Sequence, residues 1–145
     1  MEISLPAEQL TAFRLALALL YLVMFLEASL AKILPRQVPD WFRDQFKETW
    51  MGRLAPTALL FWPIAFAELA IAILFCGALG TQEFIAGAEP LLMEWGCLAS
   101  MGLFAALCLG CRVSYDFAGA ASAFNYASLS GLSWFLLHLT ASIPS

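Results

Sequence analysis

Residues 10–34 read LTAFRLALALLYLVMFLEASLAKIL, an apolar stretch interrupted only by Arg14, Glu27 and Lys32. A helix needs about 20 mostly apolar residues to cross the hydrocarbon core of a bilayer. The stretch is long enough to do so, and Pro35 ends it because proline cannot continue a helix. We therefore predict a membrane-spanning helix over residues 10–34.

Three further stretches meet the same criterion, at residues 56–80, 90–110 and 117–143. Backbone polar groups find no partners in hydrocarbon, so segments that cross it must be helical. The composition agrees: 62% of the residues are hydrophobic and only 12% are charged, where a soluble domain has about 25% charged residues. These values exclude disorder and leave too few polar side chains to cover a soluble globule. The fold class predicted for residues 1–145 is a single all-α membrane domain, a four-helix transmembrane bundle.

The connection between the first two spans has the pattern of an amphipathic helix. Trp41, Phe42, Phe46 and Trp50 recur at helical spacing, with charged residues between them. Such a helix, with tryptophan as its anchor, is typical of the headgroup region. We predict an interfacial helix over residues 38–53; the alternative is a short loop helix packed on the bundle.

Small residues mark the faces on which membrane helices approach closely. Two stripes with four-residue spacing stand out, Gly102–Ala106–Gly110 in the third span and Gly119–Ala123–Ala127–Gly131 in the fourth. They predict that these two spans pack as a close hairpin.

Charge distribution bears on partners and orientation. The net charge is −4 and no basic run offers a track for phosphates, which excludes nucleic acid as a partner. The basic residues outside the spans belong to the first and third connections: Arg36, Arg43, Lys47, Arg53 and Arg112. The positive-inside rule then predicts cytoplasmic connections and external termini.

Ionisable residues within the spans need an explanation, because a charge at the bilayer centre costs about 2.5–3.5 kcal/mol on insertion scales. Arg14 and Lys32 could each extend to the nearer membrane surface. Glu68 lies close to the midplane, so it is either protonated or paired inside the bundle. It is a candidate proton acceptor or ligand contact, and the alternative is a structural bond between two spans.

The layer nearest the termini contains Arg14, Glu94 and the only histidine, His138. One imidazole cannot complete a four-ligand metal site, and no metal site is predicted. His138 could ligate a haem or chlorophyll at a partner interface, donate to a quinone oxygen, or bond within the bundle. Candidate cofactor-binding residues are His138, Glu68, Glu94 and Tyr126.

Cys108 and Cys111 form a C-x-x-C pair at the end of the third span. Two cysteines at this helical spacing can form a disulfide, and the pair resembles the redox pair of quinone-linked thiol oxidases. The alternative is that both are small packing residues. With Glu68, these two cysteines are the candidates for catalytic groups.

Residues 13–33, with Arg14 and Lys32, and residues 66–84, with Glu68, resemble the first two helices of DoxX-like membrane proteins. The chain departs from that pattern at Glu27 and at Gln82–Glu83. The resemblance implies a four-helix protein of a bacterial-type inner membrane. It also implies a relation to the small membrane subunits of thiosulfate:quinone oxidoreductase and to relatives that assist redox complexes.

Three functions follow as hypotheses. The first, which we favour, is a membrane subunit of a larger redox assembly that contacts other subunits, lipid, and a quinone or pigment. The second is a quinone-linked thiol-disulfide oxidoreductase that uses Cys108 and Cys111. The third is a small proton-coupled transporter that uses Glu68.

Overall fold

The computed structural model describes residues 6–141 of the chain, and this part is helical with no strand. Its helices are α1 (Ala7–Ile33), α2 (Asp40–Lys47), α3 (Trp50–Leu54), α4 (Thr57–Gly80), α5 (Leu91–Val113) and α6 (Phe117–Ala141). The four long helices agree with the four apolar stretches of the sequence. Residues 142–143, which the fourth stretch includes, lie outside the described part.

Three of the long helices, α1, α4 and α5, are long and apolar enough to cross a membrane. The prediction of several membrane-spanning helices is therefore confirmed for these three, by their length and composition. Helix α6 has 25 residues, and its role as a fourth span stays a prediction.

The long helices pack in chain order: α1 against α4, α4 against α5, and α5 against α6, with the last contact the most extensive. The close hairpin predicted from the small residues is therefore confirmed. Tyr21 of α1 joins the first helix to the last, because its Oη lies 3.2 Å from both Ser130 Oγ and Ser133 Oγ of α6. Phe75 and Met93 are fully buried in the core between the helices.

Part of the predicted α5 stripe lies outside the helix contacts. Gly102 and Ala106 are exposed, and a Cβ on Gly102 would meet no atom within 4 Å. A Cβ on Gly96 would lie 2.7 Å from the Phe75 ring. The prediction that Gly102 and Ala106 lie in the α5–α6 hairpin contact is wrong, because α5 is rotated so that both residues are exposed. Gly96 packs against α4 instead of α6.

The predicted single helix over residues 38–53 is wrong as well, since two helices meet at Thr49. The Thr49 backbone is extended, and its hydroxyl accepts the N–H of Gly52 at 3.1 Å while donating to the Phe46 carbonyl at 2.8 Å. A Cβ on Gly52 would collide with that same carbonyl oxygen. The sharp turn therefore depends on a capping hydroxyl and on a residue without a side chain.

Helix α2 packs on the bundle through its apolar side. Phe42 and Phe46 are buried, and the Phe42 ring lies 5.1 Å from the ring of Phe61 in α4. Trp41 and Trp50 point outward, with about three fifths of each exposed. The aromatic residues thus divide between core and surface, and the placement of α2 at a membrane interface stays a prediction.

Candidate functional site

An ion pair joins the end of α1 to the middle of α4. Lys32 Nζ lies 2.8 Å from both carboxylate oxygens of Glu68, and it also donates to the Ala28 carbonyl at 3.3 Å. The Glu68 side chain is 7% exposed and that of Lys32 is 26% exposed. The sequence left two alternatives for Glu68, a protonated carboxyl group or a pair inside the bundle, and the structure has the pair. Lys32 turns toward Glu68 rather than to the membrane surface.

Arg14 is the most buried charged residue of the described part, at 1% exposure. Its guanidinium donates to the Ala88 carbonyl at 2.9 Å, to the Ile85 carbonyl at 3.5 Å and to Thr140 Oγ1 at 3.2 Å. It therefore joins α1 to the α4–α5 connection and to α6. The prediction that Arg14 extends to the surface is wrong, because these oxygens replace water inside the bundle.

The same end of the bundle contains a buried carboxylate that sequence reasoning missed. Glu83, 7% exposed, accepts the backbone N–H of Met93 at 3.1 Å. An acidic group is stabilised at the beginning of a helix, where backbone N–H groups lack partners. The signal in the sequence was an acid a few residues before Pro90, which opens the third span.

His138 and Glu94 come together in the layer predicted from their positions. His138 Nδ1 lies 3.5 Å from Glu94 Oε1, and the His138 ring stacks on Trp134 with 5.6 Å between centroids and 16° between planes. The His138 side chain is 57% exposed while that of Glu94 is 20% exposed. The result is an outward-facing imidazole with an indole on one face and a carboxylate at its edge.

The other candidate cofactor residues lie elsewhere. Tyr126 is half-exposed, packs on Phe104 with 5.2 Å between ring centroids, and is twelve residues from His138 on the same helix, about 18 Å along its axis. Glu68 is engaged by Lys32 in the middle of α4. The four predicted residues therefore occupy three separate places, and only Glu94 and His138 form one site.

The cysteine pair lies at the opposite end of α5 from Glu94. Cys108 and Cys111 are partly buried free thiols, and a Cβ on Gly119 would lie 3.1 Å from Cys111 Sγ. Fourteen residues separate Glu94 from Cys108, which is about 21 Å along the helix. A dithiol reaction at this pair would therefore take place far from His138.

Metal-ligating side chains do not gather in the described helices and connections: within residues 6–141, no three His, Cys, Asp or Glu side chains come close enough to hold a metal ion. Comparison with known proteins finds no family model, curated protein or solved structure that matches the chain. The resemblance to DoxX-like proteins stays a prediction.

Proposed function

We propose that this protein is a small multi-pass membrane subunit of a redox assembly in which Trp134, His138 and Glu94 bind the head group of a quinone. The observation that carries the proposal is the stack of an exposed imidazole on an indole, with a carboxylate at the imidazole Nδ1. This site lies near the end of α6, where a head group would lie close to the membrane surface. The DoxX-like resemblance and a bacterial inner-membrane location belong to the same proposal.

Exposed apolar side chains support a lipid environment for all four long helices. Large side chains on the outside of α6 include Phe124, Leu129, Leu132 and Phe135, each at least half exposed. A monomeric soluble protein rarely exposes contiguous apolar patches of this kind. We propose that α6 is the fourth span, so that its exposed face contacts lipid or another membrane helix.

The three side chains suit a flat ring that carries oxygen atoms. Aromatic rings prefer offset stacking on other rings, and the Trp134–His138 pair presents such a surface. When bound, a quinone supplies two-electron and two-proton redox chemistry. The imidazole of His138 can exchange a proton with a carbonyl oxygen of the quinone, and the Glu94 carboxylate, 3.5 Å from Nδ1, fixes the orientation of the imidazole.

Partner subunits supply the electron donor in this proposal. The connections between the long helices are residues 81–90, residues 114–116, and residues 34–56 with the two short helices α2 and α3, and none of them is large enough to be a separate domain. A donor protein or substrate domain would therefore dock on this chain rather than be part of the described residues. We propose other membrane-protein subunits as its partners.

The experiment measures quinone retained by the chain after mild detergent extraction from bacterial membranes. The variants are His138→Leu and Glu94→Gln, with Trp95→Leu as control, because Trp95 is an exposed indole on the same helix as Glu94. Loss of the hydrogen bond between the His138 imidazole and a quinone oxygen should reduce the amount of bound quinone about tenfold. Quinone content that is equal in the His138→Leu variant and the unaltered chain would contradict the proposal. A visible haem or chlorophyll absorption band that disappears in His138→Leu would assign the site to a pigment instead.

A further inference from the structure

One face of α6 is exposed along the whole helix, and exposed residues recur on it at every seventh position. Ala118, Asn125, Leu132 and Leu139 recur at this interval, and all four are exposed. Small exposed residues flank the first half of this line: Ala121, Ser122 and Ser128. We call these seven residues the α6 seam. A seven-residue repeat keeps one line of side chains toward a second helix that winds around the first.

Asn125 is the polar residue of the α6 seam whose side chain makes no hydrogen bond to its own helix. The Ser122 hydroxyl donates to the Ala118 carbonyl at 3.1 Å and the Ser128 hydroxyl to the Phe124 carbonyl at 3.0 Å. No hydrogen bond joins the exposed Asn125 amide to another of the residues 6–141. A primary amide left facing hydrocarbon is unfavourable by several kcal/mol on transfer scales, so Asn125 requires a polar partner outside the chain.

We infer that the α6 seam binds a second copy of this chain, with the two Asn125 amides hydrogen-bonded to each other. The inference rests on the proposed function, in that α6 must be a membrane span. An amide carries both donors and an acceptor, so it is complementary to an identical amide. Copies inserted in one membrane share their orientation, and a two-fold axis along the membrane normal places identical residues opposite each other. A second copy of this chain is therefore the partner we favour, because the two-fold axis places an identical amide opposite Asn125.

The distribution of side-chain size sets how the two helices approach. Ala118, Ala121, Ser122 and Ser128 allow close backbone contact near Asn125, whereas Leu132 and Leu139 hold the helices farther apart toward the end of α6. His138 lies six residues beyond Leu132, which is about 120° around the helix from the α6 seam. The dimer therefore leaves the Trp134–His138 site accessible.

The first test is disulfide crosslinking in membranes from cells that produce the full chain. The variants are Ala118→Cys, Asn125→Cys and Leu132→Cys, with the natural cysteines left in place. The matched control is Tyr126→Cys, which is at the same depth as Asn125 but about 100° around the helix. Mild oxidation should give covalent dimers from the three seam variants at several times the yield from Tyr126→Cys and from the unaltered chain. Equal yields at all positions, or no dimer at any, would overturn the inference.

The second test removes the amide without adding a crosslink. Asn125→Leu should weaken dimerisation in liposomes about threefold to thirtyfold, measured by energy transfer between labelled copies. Asn125→Gln, which keeps the amide, should retain much of the association. Association that is unchanged in Asn125→Leu would contradict the role of Asn125.

A further measurement separates failure of the dimer from failure of the proposed function. A membrane-impermeant maleimide should not react with Asn125→Cys in intact membranes if α6 is a span. Reaction at this position would overturn both the span and the dimer. Protection from maleimide without any crosslink would overturn the dimer alone, and retained quinone in Asn125→Leu would leave the proposed function standing.

Discussion

Lys32 and Glu68 face each other inside the protein, with the lysine Nζ 2.8 Å from both carboxylate oxygens. The pair links the last turn of α1 to the centre of α4. A lysine side chain points back toward the beginning of its helix, so Lys32 reaches inward from the end of α1. Both charges are compensated where lipid surrounds the helices, which explains how Glu68 is accommodated near the middle of a span.

Breaking this pair should destabilise the fold. Glu68→Gln leaves the Lys32 ammonium without a carboxylate partner and should lower the free energy of unfolding by about 3–5 kcal/mol. Titration with a denaturing detergent measures the change. The double variant Lys32→Met/Glu68→Gln should recover most of the loss, because the uncompensated charge is gone. A double variant as unstable as the single one would show that the pair is not coupled.

Glycine positions on α5 should differ in their tolerance of a methyl group. Gly96→Ala forces a Cβ to within 2.7 Å of the Phe75 ring and should cost about 1–3 kcal/mol through overpacking. Gly102→Ala, on the same helix, meets no neighbour and should leave the stability unchanged or slightly raised. The midpoints of thermal unfolding in detergent compare the two. Equal midpoints would contradict the α4–α5 contact as described.

The Arg14 guanidinium should not be replaceable by a single ammonium. Arg14→Lys keeps the charge but loses the planar arrangement that reaches the Ala88 carbonyl and Thr140 together. We expect a loss of about 1.5–3 kcal/mol for a hydrogen bond to a charged group. Arg43→Lys is the control, since Arg43 is an exposed residue of α2. If both variants unfold at the same temperature, Arg14 does not hold α1 to the connection and α6.

The cysteine pair gives a prediction that separates two functions. Cys108 lies about 21 Å along α5 from Glu94, so the Cys108→Ser/Cys111→Ser variant should retain bound quinone at the level of the unaltered chain. Extraction and quantification of quinone from the purified proteins provide the measurement. A quinone content that falls in this variant, together with trapped mixed disulfides to substrate proteins, would favour the thiol oxidoreductase instead.

The long helices and the layer of polar residues near the termini could be predicted from the sequence, because both depend on position along an apolar stretch. The pairing of Lys32 with Glu68 could not be predicted, since it depends on how far α1 and α4 are shifted relative to each other along their axes. The break at Thr49 was missed because the apolar spacing of Phe42, Phe46 and Trp50 continues through it. The contact at Gly96 and the exposure of Gly102 depend on the rotation of α5 about its axis, which the spacing of its small residues does not specify.

Photolabelling with a short-chain azidoquinone in native-like membranes would locate the quinone site on the chain. We expect label on the α6 peptide around Trp134 and His138 and on the α5 peptide around Glu94, with competition by unlabelled quinone and loss in His138→Leu. Label spread evenly over the lipid-facing residues of all long helices, without competition, would contradict a quinone site on this protein.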